Sequence, residues 1–130
     1  MAYFNFTKRI TEGDTIQIYG LGQPERDFTY VDDIVEGIVN LIDKPPKDKI
    51  PNRILNIGNH EPVSVNEFVK TLEHVIGKKA EKEFTAMQPG DVMKTYADVD
   101  AISNLTGFKP NTALEEGLSK FWKWYKEYYS

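Results

Sequence analysis

Arg9, Arg26 and Arg53 are the only arginines in the chain, so few side chains can clamp a phosphate with two parallel N–H groups. Arg26 has the most favourable neighbourhood. The run Arg26-Asp27-Phe28-Thr29-Tyr30-Val31-Asp32-Asp33 begins as an alternating strand, with Phe28 and Tyr30 on one face and Thr29 and Val31 on the other. At Asp32 and Asp33 the period becomes helical, and the free N–H groups and positive dipole end of a helix suit a carboxylate. Arg26 therefore stands near the mouth of a strand-to-helix unit, a place suited to a phosphate. The competing reading pairs it with Asp27 or Glu25. Asp32 and Asp33 could also serve as acid and base, but their place at a helix start favours capping.

Further along, proline and glycine fix the loop Gln88-Pro89-Gly90-Asp91. Asp91 there either accepts hydrogen bonds from a ribose diol or is an ordinary turn residue, and the residues alone leave both open. Tyr19, at the end of a strand, either stacks on a base or belongs to the core. His60 and His74 lack metal-ligand spacing and read as structural or solvated. Lys78 and Lys79 follow a helix end, where cations complement the dipole.

Several chemistries have no residues to carry them. There is no G-x-G-x-x-G loop, no tyrosine followed four residues on by lysine and no G-x-S-x-G elbow, so no catalytic or cofactor-binding residue is assigned. With no cysteine there is no thiol nucleophile, disulfide or thiolate metal site. A net charge of −4 argues against a nucleic-acid surface. A hydrophobic content of 40% and a charged content of 28% are those of a globular protein. No apolar run is long enough to span a membrane, and Met1-Ala2-Tyr3-Phe4-Asn5-Phe6 lacks the features of a signal peptide, so a cytoplasmic protein is expected.

The elements that must hold these residues follow from periodicity. Ala2 to Glu12 reads as a helix stopped by Gly13, with Tyr3, Phe6 and Ile10 on one side. Thr15 to Tyr19 reads as a strand, and Gly20-Leu21-Gly22-Gln23-Pro24 as a turn. Behind Asp33, the residues Ile34, Val35, Ile38, Val39 and Ile42 form an apolar stripe that needs burial, and Pro45-Pro46 ends that helix. Arg53 to Ile57 is a short strand. Ser64 and Glu67 form a capping box before a helix carrying Phe68, Val69, Leu72, Val75 and Ile76. Glu81 to Ala86 is a further strand. Asp98 is expected to cap a helix that ends at Gly107, and Thr112 with Glu115 forms a second capping box for a last helix bearing Leu118, Phe121, Trp122 and Tyr125. Alternating strands and helices indicate an α/β fold.

The ordered blocks Ile16 to Gly20, Arg26 to Asp33, Ile54 to Gly58, Gln88 to Asp91 and Tyr96 to Asp98 resemble the C-terminal part of extended short-chain dehydrogenase/reductase proteins. Within them the chain looks most like nucleotide-sugar epimerases of the UDP-glucuronate 4-epimerase type, including those of capsular polysaccharide synthesis. The resemblance runs from Met1 to Tyr129. It implies a small incomplete sheet with several helices, and residues 1–130 as one nucleotide-sugar-binding domain.

By this resemblance Gln17 offers backbone contacts to uracil, Tyr19 packs beside it, Arg26 binds the diphosphate and Asp91 meets the ribose. Gln88 departs from the pattern, because related galactose epimerases carry arginine there; a second phosphate cation is then absent or supplied elsewhere. Such enzymes use NAD to remove and return a hydride at sugar C4. The glycine-rich loop and Tyr-x-x-x-Lys pair of the family lie N-terminal to this region. The chain is therefore expected to be a C-terminal fragment that binds no cofactor, is inactive alone, and retains weak UDP-sugar contacts at best. Its orphaned apolar faces imply a homo-oligomer. The alternatives are a non-enzymatic association module and the corresponding part of a nucleotide-sugar dehydratase or reductase.

Overall fold

The computed structural model describes residues 1–129, and in it the chain opens with helix α1 (Ala2–Glu12), closed by Gly13 in the left-handed conformation (φ 84°). Strand β1 (Ile16–Tyr19) follows, then a one-turn segment Gly20–Gly22, strand β2 (Glu25–Asp27) and helix α2 (Val31–Val39). Strand β3 (Pro62–Ser64) leads directly into helix α3 (Val65–Ile76), which ends at the left-handed Gly77. Strand β4 (Lys82–Thr85), helix α4 (Asp100–Thr106) and helix α5 (Leu114–Tyr129) complete the order.

The α/β class and the small sheet content are as the sequence predicts. Two separate two-stranded sheets form: β1 and β4 pair in parallel from Ile16↔Lys82 to Tyr19↔Thr85, and β2 pairs antiparallel with β3. The other edge of β2 meets the segment at Lys94 through a single bridge. The main core joins Ile10, Ile16, Ile18, Phe68, Val69, Leu72 and Leu118, so α1, α3 and α5 close over the core face of β1. A second cluster gathers Val99, Ile102 and Phe108 with Leu41, Leu55, Ile57 and Ala97.

Glu73 ties α3 to the start of β4. Its side chain is 3% exposed and accepts from Lys82 Nζ at 2.8 Å, the Ala80 N–H at 2.9 Å and Lys79 Nζ at 3.3 Å. Burial, the largest single influence, pushes its carboxyl up. Lys82, the Ala80 N–H and Lys79 together outweigh burial and hold it below its ordinary 4.5.

Several local expectations are corrected. Arg53 to Ile57 forms no strand: Leu55 and Ile57 point inward and Ile54 is 89% exposed, so the alternation is real. A ladder needs a neighbour, however, and β2 spends its edges on β3 and Lys94. The Arg26 strand is shorter than its pattern and stops at Asp27. Phe28 leaves the ladder to stack on Phe68, with ring centroids 4.3 Å apart.

Nor do Asp32 and Asp33 cap α2, whose N-cap is Tyr30. Asp33 is buried and bonds outward to the 111–112 segment. This inverts the helix: α2 buries Asp33 and Gly37 and leaves Val35, Ile38 and Val39 exposed. Thr112 accordingly donates to Asp33 rather than capping α5. Ser64 Oγ does accept from the Glu67 N–H at 3.1 Å. Asp98 accepts from the Asp100 N–H at the start of α4, whose N-cap position is Val99.

Candidate functional site

Two strand ends and one loop converge on the edge where β1 and β4 finish. Tyr19 is half-buried and its hydroxyl donates to Gln17 Oε1 at 3.2 Å; Gln17 is exposed and its Nε2 donates to Glu83 Oε2 at 3.4 Å. These contacts run across the solvent face of the parallel pair, because Gln17 and Glu83 are opposite one another in the register. After Tyr19 the backbone makes a left-handed turn, with φ of 58° at Gly20, 55° at Leu21 and 71° at Gly22. Leucine adopts that conformation at a cost. Asn66, near the start of α3, holds the turn by donating from Nδ2 to the Leu21 carbonyl at 2.9 Å. A Cβ at Gly22 would overlap Asn66 Oδ1, so glycine is required there. The turn brings Gly20 beside Met87, the residue that leads into the Gln88-Pro89-Gly90-Asp91 loop.

Arg26 faces that loop from β2. Its Nη1 donates to the Glu25 carbonyl at 2.8 Å and its Nη2 to Asp91 Oδ1 at 2.5 Å. The side chains of the pair are 26% and 35% exposed, so solvent reaches both. The carboxylate partner is therefore Asp91, not the neighbouring Asp27 or Glu25 side chain. Gln88 is exposed, and its carbonyl accepts from the Asp91 N–H at 3.1 Å in the turn. Arg26 also lines an apolar groove of about 630 Å³ that runs past Tyr3, Phe28, Tyr30 and Phe121.

Asp27 is the side chain whose role the sequence does not reveal. Its Oδ1 accepts from the Asn59 N–H at 3.0 Å, and its Oδ2 from His60 N–H at 3.0 Å and Ala97 N–H at 2.9 Å. One carboxylate thus fastens the turn after Ile57 and the segment after Tyr96 to the strand that carries Arg26. Gly58 makes room, since a Cβ there would press on Ala97 Cβ and Asp27 Oδ2. His60 completes the clasp: a carbonyl can only accept, so its Nδ1 donates to the Ala97 carbonyl at 2.6 Å. His74 lies 3.5 Å from Glu115 on an exposed surface, away from this edge. Among the described residues, no group of three or more His, Cys, Asp and Glu could hold a metal ion.

Of the five residues singled out for ligand contact, Gln17 and Tyr19 bond to each other, Arg26 bonds to Asp91, and Gln88 shares the turn of Asp91. Two strand-to-helix junctions lack glycine: β2 enters α2 through Phe28-Thr29-Tyr30, and β3 enters α3 directly at Ser64. Neither of these two helix starts carries the glycine-rich turn that cradles a dinucleotide pyrophosphate. Arg26, Asp91 and Tyr19 present a guanidinium, a carboxylate and an aromatic ring.

A family model described as GDP-mannose 4,6 dehydratase matches residues 3–121. Protein CapI of Staphylococcus aureus is 43% identical over 99% of this chain and 43% of its own length. A probable UDP-glucuronate 4-epimerase of Rhizobium meliloti is 40% identical over 99% of this chain and 42% of its own length. Among solved structures, UDP-glucuronic acid 4-epimerase from Bacillus cereus, in complex with UDP-glucuronic acid and NAD, superposes with a TM-score of 0.88 at 33% identity. That match covers 99% of this chain and 40% of the epimerase chain. The chain thus spans about two-fifths of the length of the relatives it matches.

Proposed function

This chain belongs to the GDP-mannose 4,6 dehydratase family of nucleotide-sugar epimerases and dehydratases, and we propose on that footing that it is the UDP-sugar-binding part of a UDP-glucuronate 4-epimerase. The observation that carries the reading is the Arg26–Asp91 pair beside the Tyr19 edge. Arg26 binds the diphosphate, Asp91 accepts from the ribose hydroxyls, and the β1 end at Gln17 and Tyr19 receives the uracil. Gln88 lies on the same loop and supplies a polar contact without a charge. Hydride removal and return at sugar C4, mediated by NAD, belongs to residues outside those described; the part played by this chain is to bind and orient. The domain so defined, residues 1–130, is inactive by itself on this reading. A charged, water-soluble ligand fits a cytoplasmic protein, and no helix among the described residues is long and apolar enough to cross a membrane.

Calorimetric titration with UDP tests the reading. Wild type is expected to bind weakly, and Arg26→Ala is expected to lose at least about tenfold in affinity, as removal of a charged phosphate contact should. Equal binding by wild type and variant overturns the assignment of Arg26.

A specific observation favours association as well. Val31, Val35, Ile38, Val39 and Ile42 are each at least half exposed on one side of α2 and the turn after it, an apolar stripe of the kind that marks an interaction face. We assign this face to the cofactor-carrying part of the parent enzyme, and to a second copy of this chain when it is alone. Light scattering on the eluting peak is expected to give the mass of a dimer or larger, and Ile38→Lys to give the monomer. A wild-type monomer at high concentration sinks this assignment.

A further inference from the structure

Arg26 does not wait with a free guanidinium. Nη1 is turned onto the Glu25 carbonyl and Nη2 onto Asp91 Oδ1, which also accepts from the Val92 N–H at 3.0 Å. A phosphate drawn to Arg26 therefore competes with Asp91 for the guanidinium, whose Nη2 the carboxylate holds. The loop has the means to yield: Gly90, next to Asp91, has φ 84° and no heavy atom within 4 Å of where a Cβ would stand. The loop meets the rest of the fold through Met87 on one side and the Met93 carbonyl, which accepts from the Glu25 N–H, on the other.

We propose that Asp91 is an exchangeable counter-ion that screens Arg26 against bare phosphates and yields to an anion whose own hydroxyls can occupy the displaced carboxylate. The inference rests on the nucleotide reading above for its second half only. An incoming pyrophosphate that takes Arg26 leaves Asp91 without its cation and beside a like charge, which disfavours the exchange. A nucleoside diphosphate brings the same anion together with ribose donors, so the carboxylate moves from one partner to another and is not stranded. The specificity lies in the exchange: one carboxylate penalises the phosphate alone and rewards the phosphate that carries a sugar.

The two halves separate in one experiment. The full chain and Asp91→Asn are titrated with inorganic pyrophosphate and with UDP. Asparagine keeps the oxygen that accepts from Val92 and removes the charge, and matching circular dichroism spectra establish that both proteins are folded. Because the pair is partly exposed, the variant is expected to bind pyrophosphate about three- to fivefold more tightly than wild type. UDP is expected to bind the variant about tenfold more weakly, since its hydroxyls lose a charged acceptor. Pyrophosphate affinity that is unchanged or lower in Asp91→Asn overturns the proposal. So does a variant that tightens for both ligands alike, because the carboxylate then discriminates nothing. If pyrophosphate tightens while UDP binds neither protein, the selectivity and the nucleotide reading both fall, and Asp91 is left as a plain screen of Arg26.

Discussion

Asp27→Ala is expected to destabilise the fold by about 3 kcal/mol and to loosen the ligand edge at the same time. The carboxylate accepts three backbone N–H groups, from Asn59, His60 and Ala97. Hydrogen bonds to a charged acceptor contribute about 1.5–3 kcal/mol, and donors left unpaired away from water cost more than donors returned to it. Two of these bonds are partly buried and that of His60 is exposed, so water recovers some of the loss; the figure is set below the sum for that reason. Urea denaturation measures the stability, and amide exchange locates the damage. Faster exchange is expected at Asn59, His60 and Ala97, with α1 and α3 still protected. A loss below about 0.5 kcal/mol, the level of an ordinary surface substitution, would show that the clasp is ornamental. Asp27→Asn is the milder comparison, because it keeps two acceptor lone pairs but supplies an amide where an N–H already points.

Asp33→Ala is expected to cost as much, by a different route. Asp33 is 2% exposed and receives the Thr112 N–H at 3.2 Å, the Thr112 hydroxyl at 3.1 Å and the Asn111 N–H at 3.4 Å. Alanine strands buried donors just before α5, a penalty of about 3–4 kcal/mol when the charged acceptor and the cavity are counted together. A double-mutant cycle with Thr112→Val separates the hydroxyl from the backbone. A coupling near zero would mean that Asp33 acts on the backbone alone, and a full-strength Asp33→Ala protein by thermal denaturation would refute the role outright.

These two carboxylates mark the border of what the sequence makes legible. Helices α1, α3 and α5 are readable because each carries an apolar stripe at helical spacing, and glycine closes the first two in the left-handed conformation. Strands β1 and β4 are readable from alternation. The residues named for ligand contact meet in two pairs, Tyr19 with Gln17, and Arg26 with Asp91 across a separation of 65 residues. Asp27 and Asp33 are different. Apart from the Thr112 hydroxyl on Asp33, their partners are backbone N–H groups up to 70 and 79 residues away, which have no side-chain signature to search for. Both therefore looked like neighbours of something nearer, an arginine in one case and a helix terminus in the other. The α2 stripe misled for a related reason. Periodicity gives the apolar face but not what faces it, and here Gly37 and Asp33 took the inward side because Ile57 and Phe108 come close enough to touch only a glycine. Arg53 to Ile57 shows the same limit for strands, since alternation sets faces and a ladder needs a neighbour.

The parallel pairing of β1 with β4 also sets a clock. Gln17 and Glu83 are 66 residues apart, with β2, α2, β3 and α3 between them. Closing so long a loop costs chain entropy before any pairing repays it, and such non-local contacts are slow to form. On a ribosome adding roughly 5–20 residues per second, β1 waits several seconds before β4 has even been made. The strand that carries Tyr19 is thus made well before it can be completed. Until Lys82 arrives, the hydrogen-bonding edge that β4 takes is open to any passing strand.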